Sequence, residues 1–148
     1  MQHCTKRPDA VAQINGGMGA PQVSGCVEFF QENGRVLVVA KICRLPENET
    51  GFCGFHIHQC GTCSGLDFSG TRSHYNPTDQ PHPKHAGDLP PLFQCRGNAY
   101  LSFCTDRFCV KDIIGRTVVI HSEPDDFRSQ PAGNAGRKNA CGVIRIVP

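Results

Sequence analysis

Alternating apolar and polar residues along most of the chain predict β-strands. In VSGCVEFFQ and RVLVVAKIC the apolar side chains recur at every second position, and Asn33–Gly34 between them favours a two-residue hairpin turn. With these two residues in the turn, Phe29 pairs with Val38 on an apolar inner face. The two segments therefore predict a β-hairpin with one face toward a core.

Further segments show the same pattern and are predicted as strands: VAQI, FCGFHIHQ, PLFQC, NAYLSFC, RTVVIH and ACGVIRIV. Two irregular stretches, residues 61–91 and 122–139, interrupt them and are rich in Gly, Pro, Ser and Asp. Irregular segments of such length inside a compact domain are usually functional. With 16 Gly, 11 Pro and no Trp in the chain, we predict an all-β domain with short elements.

The length of 148 residues fits one domain, which we expect to span residues 1–148, with residues 1–10 as a loosely ordered extension. A net charge of +2 without a block of Lys and Arg argues against nucleic acid or an anionic membrane as partner, but leaves a small anion open. No apolar run has the length of a membrane span.

The N-terminus lacks the apolar core of a signal peptide, which predicts a cytoplasmic protein if the chain is complete. Ten cysteines are more typical of oxidising compartments or of metal sites. A periplasmic or extracellular location, reached after removal of a leader, is therefore the alternative.

Histidines are concentrated in two parts of the sequence. Five of the seven lie within residues 54–88, and His121 ends the apolar run VVIH. Because side chains alternate along a strand, His56 and His58 point the same way, roughly 6 to 7 Å apart. Such a pair can bind one metal ion.

The irregular stretch after this strand carries His74, His82, His85 and Asp88. Three imidazoles and a carboxylate can complete a tetrahedral zinc site. The three strand-borne histidines, with one histidine of the loop, would form a four-nitrogen set suited to copper(II). The sequence thus predicts two metal ions.

Five motifs, in this order, resemble those of the copper/zinc superoxide dismutases, most closely the bacterial-type branch: GFHIHQCGTC, HYNP, HAGDL, VVIHSEPDD and GNAGRKNACGVI. The resemblance runs from about Val23 to Val147. It implies an eight-stranded Greek-key β-sandwich, a flattened barrel, with two long functional loops.

The resemblance also implies a role for each matching residue. The copper ligands would be His56, His58, His74 and His121. The zinc ligands would be His74, His82, His85 and Asp88. His74 would bridge the two ions, Asp125 would accept hydrogen bonds from one copper and one zinc histidine, and Cys63 would form a disulfide with Cys141.

The activity implied is the dismutation of superoxide to oxygen and hydrogen peroxide at copper, with His74 also handling a proton and zinc holding the loop. Lys138 occupies the position of an arginine that guides the substrate in this family, and Arg137 precedes it. Relatives occur as monomers and as homodimers. The alternative is a copper- or zinc-binding protein on the same scaffold that stores or buffers metal.

Eight cysteines remain outside the implied disulfide, and we expect most of them to be small, buried apolar side chains on strands. Cys26 and Cys43 lie diagonally across the hairpin and are not expected to form a bond. A free N-terminus followed by His3 could also bind copper(II), the alternative being a frayed terminus.

Overall fold

The computed structural model describes residues 6–148 and contains almost only β-structure. Its strands are β1 Ala10–Gly16, β2 Ser24–Glu32, β3 Arg35–Cys43, β4 Phe52–Cys53, β5 Phe55–His58, β6 Leu92–Cys95, β7 Asn98–Thr105, β8 Thr117–His121 and β9 Lys138–Ile146. A short helix, α1 Val110–Ile113, and a single 3₁₀ turn at Ser69–Thr71 complete the regular structure of these residues. The all-β prediction is confirmed.

The strands form one antiparallel sheet in the order β4-β6-β7-β3-β2-β1-β9-β8-β5. The two edge strands, β4 and β5, are consecutive in the chain and are separated only by Gly54. Because β4 pairs with β6 and β5 pairs with β8, residues 52–58 connect the two ends of the sheet, which closes into a flattened barrel. Counted as one strand interrupted at Gly54, this segment reconciles the nine segments within residues 6–148 with the eight strands predicted.

The hairpin register agrees with the sequence. In the β2–β3 ladder Phe29 pairs with Val38, and the turn residue Gly34 has φ +76°. Phe29, Phe55, Ile57 and Ile120 are among the largest fully buried side chains of the core. Alternation along each strand thus supplies the apolar interior, as the pattern predicted.

Two parts of the structure differ from the sequence-based expectation. Asp9 donates its N–H to the Phe29 carbonyl at 2.9 Å and Ala10 opens β1 fully buried, so the predicted N-terminal extension ends earlier than residue 10. The helix α1 was not predicted, because four residues are too few to show helical periodicity. The proposed copper site at His3 lies outside the described residues.

The prediction for the remaining cysteines is wrong for most of those in residues 6–148. Only Cys53 is buried, while Cys26 and Cys60 are half-buried. The others are exposed: Cys43, Cys95, Cys104 and Cys109. Strand register explains the exposure of Cys43, Cys95 and Cys104, which occupy outward-facing strand positions, whereas Cys109 lies just before α1. Cys26 and Cys43 are unbonded, as expected.

The disulfide Cys63–Cys141 is present and joins the loop after β5 to β9. Next to it, Phe68 and Val119 form a small apolar cluster on the outside of the barrel. This cluster and the disulfide together fix residues 59–91, the loop that covers β5. Residues 6–148 contain no helix with the length and apolarity needed to cross a membrane.

Reducing the disulfide should destabilise the protein. The bond closes a loop with a sequence separation of 78 residues, for which the chain-entropy relation gives about 4.5 kcal/mol of stabilisation. We expect the free energy of unfolding, measured with urea, to fall by about 2 to 5 kcal/mol in Cys63→Ser. Cys104→Ser, which removes an exposed free thiol, is the control, and equal urea midpoints for the two variants would contradict the prediction.

Candidate metal centre

The strand β5 presents two histidines on the outer side of the barrel. Phe55 and Ile57 point into the core, so the alternate residues His56 and His58 point outward. The loop 59–91 covers this side, and the two imidazoles are only 0% and 2% exposed. A polar ring buried to this extent requires partners for both of its nitrogens.

Short stretches of the loop pair with β5 as if they were additional strands. Isolated β-bridges join His58 to His74 and His56 to Asp88. The backbone N–H and the carbonyl of Ile57, between the two histidines, each form a 2.8 Å hydrogen bond to the loop. Backbone pairing thereby brings His74 and Asp88 beside the strand histidines.

Two groups of side chains converge here, and in each group the candidate ligand atoms lie within 4.8 Å of one another. The first set consists of His56, His58, His74 and His121. The second set consists of His74, His82, His85 and Asp88. The structure thus brings together the seven side chains that the sequence singled out, and His74 belongs to both sets.

The ring of His74 lies between the two sets. Its Nδ1 is 2.8 Å from Asp88 Oδ1 and 3.2 Å from His85 Nδ1, within the second set. Its Nε2 faces the first set and is buried without a hydrogen-bond partner. The two nitrogens of this ring can therefore bind two different ions.

Backbone carbonyls fix two rings of the first set. His58 Nδ1 lies 2.7 Å from the Arg72 carbonyl and His121 Nδ1 lies 3.3 Å from the Gly136 carbonyl. A carbonyl can only accept, so both Nδ1 atoms carry hydrogen and both Nε2 atoms keep a free electron pair. These Nε2 atoms are 3.4 Å apart, close to the separation of two nitrogens bound to one tetrahedral ion at about 2.0 to 2.1 Å.

Asp125 fixes one ring in each set. His56 Nε2 donates to Asp125 Oδ2 at 2.7 Å, and His82 Nε2 donates to Asp125 Oδ1 at 2.8 Å. Both rings therefore keep an unprotonated Nδ1 that faces its own set. The N–H of Phe127 donates to Oδ1 at 2.7 Å and holds the carboxylate in place.

The unpaired atoms of the centre indicate cations. His56 Nδ1, His74 Nε2 and His82 Nδ1 are three of the four buried side-chain N or O atoms in residues 6–148 that lack a hydrogen-bond partner. His82 Nδ1 lies 3.0 Å from Asp88 Oδ2, but without the geometry of a hydrogen bond. Two electron-pair donors at this distance repel each other unless a cation lies between them, which indicates an ion in the second set. The unpaired His56 Nδ1 and His74 Nε2 indicate another ion in the first set, so the residues fit two bound metal ions.

Comparison with known proteins identifies the family. A family model described as copper/zinc superoxide dismutase matches residues 23–144. The chain belongs to this family. Copper and zinc are accordingly the ions that its two donor sets are expected to hold.

Related proteins match over most of their length. Cu-Zn superoxide dismutases 1 and 2 of Aquifex aeolicus (strain VF5) are each 37% identical, over 82% and 84% of this chain and 79% and 80% of theirs. A Cu-Zn superoxide dismutase of Schizosaccharomyces pombe is 37% identical over 93% of this chain and 97% of its own. The two Aquifex relatives fit the bacterial-type branch that the motifs indicated.

Burial keeps two imidazoles of this superoxide dismutase family member, those of His58 and His121, neutral. It lowers the pKa of His58 to about 2 and that of His121 to about 3, and the charge of a neighbouring histidine adds to each effect. For Asp125, burial alone would raise the pKa, but the hydrogen bonds from His56 and His82 outweigh it and hold the pKa well below its ordinary value. Near neutral pH His58 and His121 are therefore neutral, the form of imidazole that binds metals, and Asp125 is ionised.

A cavity of about 810 Å³ lies over the first set and is lined by His58, His74 and His121. Three cationic residues also line it: Arg72, Arg137 and Lys138. Their combined charge, opposed by Asp67, makes the approach to the first set favourable for a small anion.

Lys138 and Arg137, the two cations singled out from the sequence, differ in their contacts. The Lys138 ammonium donates to Thr71 Oγ1 at 2.9 Å and to the Arg72 carbonyl at 3.1 Å. Burial lowers the pKa of this ammonium, while the charge of Asp67 acts in the opposite direction. Arg137 and Arg72 are the two arginines that line the cavity. The backbone N–H of Arg137 donates to the Ser122 hydroxyl at 3.1 Å.

Sequence reasoning missed two residues that position His82. The Gln130 amide forms hydrogen bonds of 2.7 Å with the carbonyl and 2.9 Å with the N–H of His82. Gly133 has φ +73°, and a Cβ there would lie 2.6 Å from His82 Nε2 and would overlap Asp125. The turn-forming Gly in GNAG was a visible signal, whereas nothing in the sequence marks a glutamine 48 residues after His82 as its partner.

The metal-free protein should lose stability in mild acid. The unfolded chain has histidine pKa values of about 6.5, whereas His58 and His121 are depressed in the folded state, so the unfolded state binds more protons below that pH. Each of these histidines contributes stability that is present above about pH 6.5 and is lost as the pH falls, by up to about 1.4 kcal/mol per pH unit.

This pH dependence can be measured as urea midpoints of the metal-free protein between about pH 7.5 and about pH 4.5. His121→Ala, which removes one of the two groups, should give a shallower slope over the same range. A midpoint that does not change between about pH 6.5 and about pH 5 would contradict the prediction.

Proposed function

We propose that this protein dismutates superoxide, with copper bound by the first set and zinc bound by the second. The observation that carries the proposal is the position of His74, whose two ring nitrogens face two complete and adjacent donor sets. Four nitrogens suit copper(II), and three nitrogens with one carboxylate suit tetrahedral zinc. With a single ion bound, one nitrogen of this ring and the other donors of its set would have no partner.

When bound, copper supplies the redox chemistry: it accepts one electron from a first superoxide, which leaves as oxygen, and gives it to a second, which takes up two protons to become hydrogen peroxide. His74 is the ring best placed to deliver one of these protons. Its Nε2 faces the first set and has no other partner, so it can hold a proton whenever it is not bound to metal. Its Nδ1 stays in the second set beside Asp88.

The other ligands contribute a preorganised geometry. Asp125 and the carbonyls of Arg72 and Gly136 hold three rings of the first set in the tautomers that metal binding requires. Ligand orientation by such outer hydrogen bonds raises both metal affinity and ligand basicity. The second set joins residues 74 and 82–88 of the covering loop, so zinc would stabilise the loop that carries His74.

Substrate selection follows from the cavity over the first set. Superoxide is a small anion, and Arg72, Arg137 and Lys138 attract it toward the histidines. All three donors of the Lys138 ammonium are used by the loop, on the Phe68 carbonyl, the Thr71 hydroxyl and the Arg72 carbonyl, so its charge contributes to the field while its hydrogen bonds support the cavity wall. A protein that only buffered metal would have no use for a cationic entrance of this kind.

Dismutation and metal buffering are separated by one pair of measurements: the metal content of the purified protein and its rate of superoxide consumption. We expect about one copper and one zinc per chain together with catalytic consumption. Two bound metals without consumption would establish the buffering alternative and refute the proposal.

Removing one copper ligand should abolish activity without unfolding the protein. His121→Ala deletes a nitrogen of the first set and leaves all four residues of the second set intact. We expect copper binding and superoxide consumption to be lost, while zinc content and the circular dichroism of the β-sheet persist. Retained turnover in this variant would show that the first set is not the redox site.

Lys138→Arg should increase kcat/KM for superoxide at low ionic strength. A guanidinium has five donors, so it can keep hydrogen bonds to the 68–72 segment and also offer a planar fork to the anion. The increase should diminish as salt screens the cavity. Lys41→Arg on the outer face of β3 is the matched control, and an equal kcat/KM for both variants would show that residue 138 does not guide the substrate.

A further inference from the structure

One arginine outside both donor sets contacts the backbone of the second set. Arg107 Nη1 lies 3.0 Å from the carbonyl oxygen of Pro83, 3.1 Å from that of His85 and 3.2 Å from that of Asp88. Two of these three carbonyls belong to ligands of the second set, and the third lies between His82 and His85 in the sequence. A single cationic nitrogen is thus surrounded by three oxygens of one loop segment.

Neighbouring residues hold Arg107 at this point. It follows β7, where the Thr105 hydroxyl accepts its backbone N–H at 3.2 Å. The next residue, Phe108, is part of the buried core. The guanidinium therefore extends from a fixed position of the barrel toward the 83–88 segment.

We propose that Arg107 is a positioning residue for the zinc half of the centre, acting on His85 and Asp88 through their backbone carbonyls. The inference rests on the proposed assignment of zinc to the second set. Arg107 does not touch the ion or the substrate; it sets the loop conformation in which the ligands converge.

The physical reason is the direction of the three carbonyl dipoles. Their negative ends point at a common place, which is unfavourable unless a positive group occupies it. Without Arg107 the segment would turn these oxygens toward water, and His85 Nδ1 and Asp88 Oδ2, now 3.3 Å apart, would no longer be held together. The zinc ligands would then have to be reordered at the cost of binding free energy.

The test measures zinc affinity in a background that cannot bind copper properly or turn over superoxide. In His121→Ala protein only the second set remains complete, so zinc can be competed against a chromophoric chelator at that set alone. Arg107→Ala and Arg107→Lys are compared in this background. Arg35→Ala is the matched control, because it removes an exposed guanidinium that lines the same surface cavity as Arg107 but pairs with Glu32 and not with the loop carbonyls.

We expect Arg107→Ala to weaken zinc binding roughly 10- to 100-fold, the range for loss of an outer hydrogen-bond partner of a metal site. Arg107→Lys should recover part of this loss, since an ammonium can also sit among carbonyls, and Arg35→Ala should bind zinc as the background does. A merely structural role would lower the urea midpoint of the metal-free protein and leave its zinc affinity unchanged.

Two results would overturn the proposal: zinc affinity within about twofold of the background in Arg107→Ala, or an Arg107→Lys variant as weak as Arg107→Ala. Superoxide consumption plays no part in this measurement, so the dismutase proposal can fail independently. Absence of zinc binding in the His121→Ala background itself would instead refute the assignment of zinc to the second set, and Arg107 with it.

Discussion

The carboxylate of Asp125 is the interaction on which the metal centre depends. It accepts from His56 of the barrel at 2.7 Å and from His82 of the covering loop at 2.8 Å, and so joins two parts of the chain at opposite sides of the centre. In a buried environment an ionised carboxylate is stable only when its oxygens are fully hydrogen-bonded. Loss of His56 would leave Oδ2 of this buried charge without its donor, and loss of His82 would leave Oδ1 with only the Phe127 N–H. This coupling makes the two donor sets a single structural unit.

Covalent and apolar contacts fix the same covering loop at its other end. The disulfide Cys63–Cys141 restricts the chain in both the folded and the unfolded state, whereas the packing of Phe68 against Val119 stabilises only the folded state. Neither interaction specifies how the imidazoles are oriented. That specificity comes from directional hydrogen bonds of His58, His121 and Asp125, so loop closure and ligand orientation are separate contributions to the same site.

The all-β class and most members of both sets were predictable for physical reasons that can be named, whereas the placement of His74 in both sets came from the family resemblance. Alternation in FHIH placed two histidines on one side of a strand, and the loop ligands stood out because imidazoles rarely cluster without a metal. Contacts across long separations were not predictable: the glutamine that holds His82 and the three oxygens around Arg107. Each depends on which chain segments become neighbours, and periodicity reports only which face of its own strand a residue occupies.

Lys138 serves two functions: its charge attracts an anion, and its hydrogen bonds hold the cavity wall in place. A lysine at the mouth of a cavity would ordinarily be counted as a mobile point charge for an incoming anion. Here its ammonium is held by Thr71 and the Arg72 carbonyl, and that carbonyl is also the acceptor that fixes the tautomer of His58. The attraction of a small anion must then arise from the summed field of the cavity's cations rather than from one directional contact. Salt at about 0.1 M screens a field of this kind beyond a distance of about 10 Å, whereas it does not weaken the hydrogen bonds that orient His58.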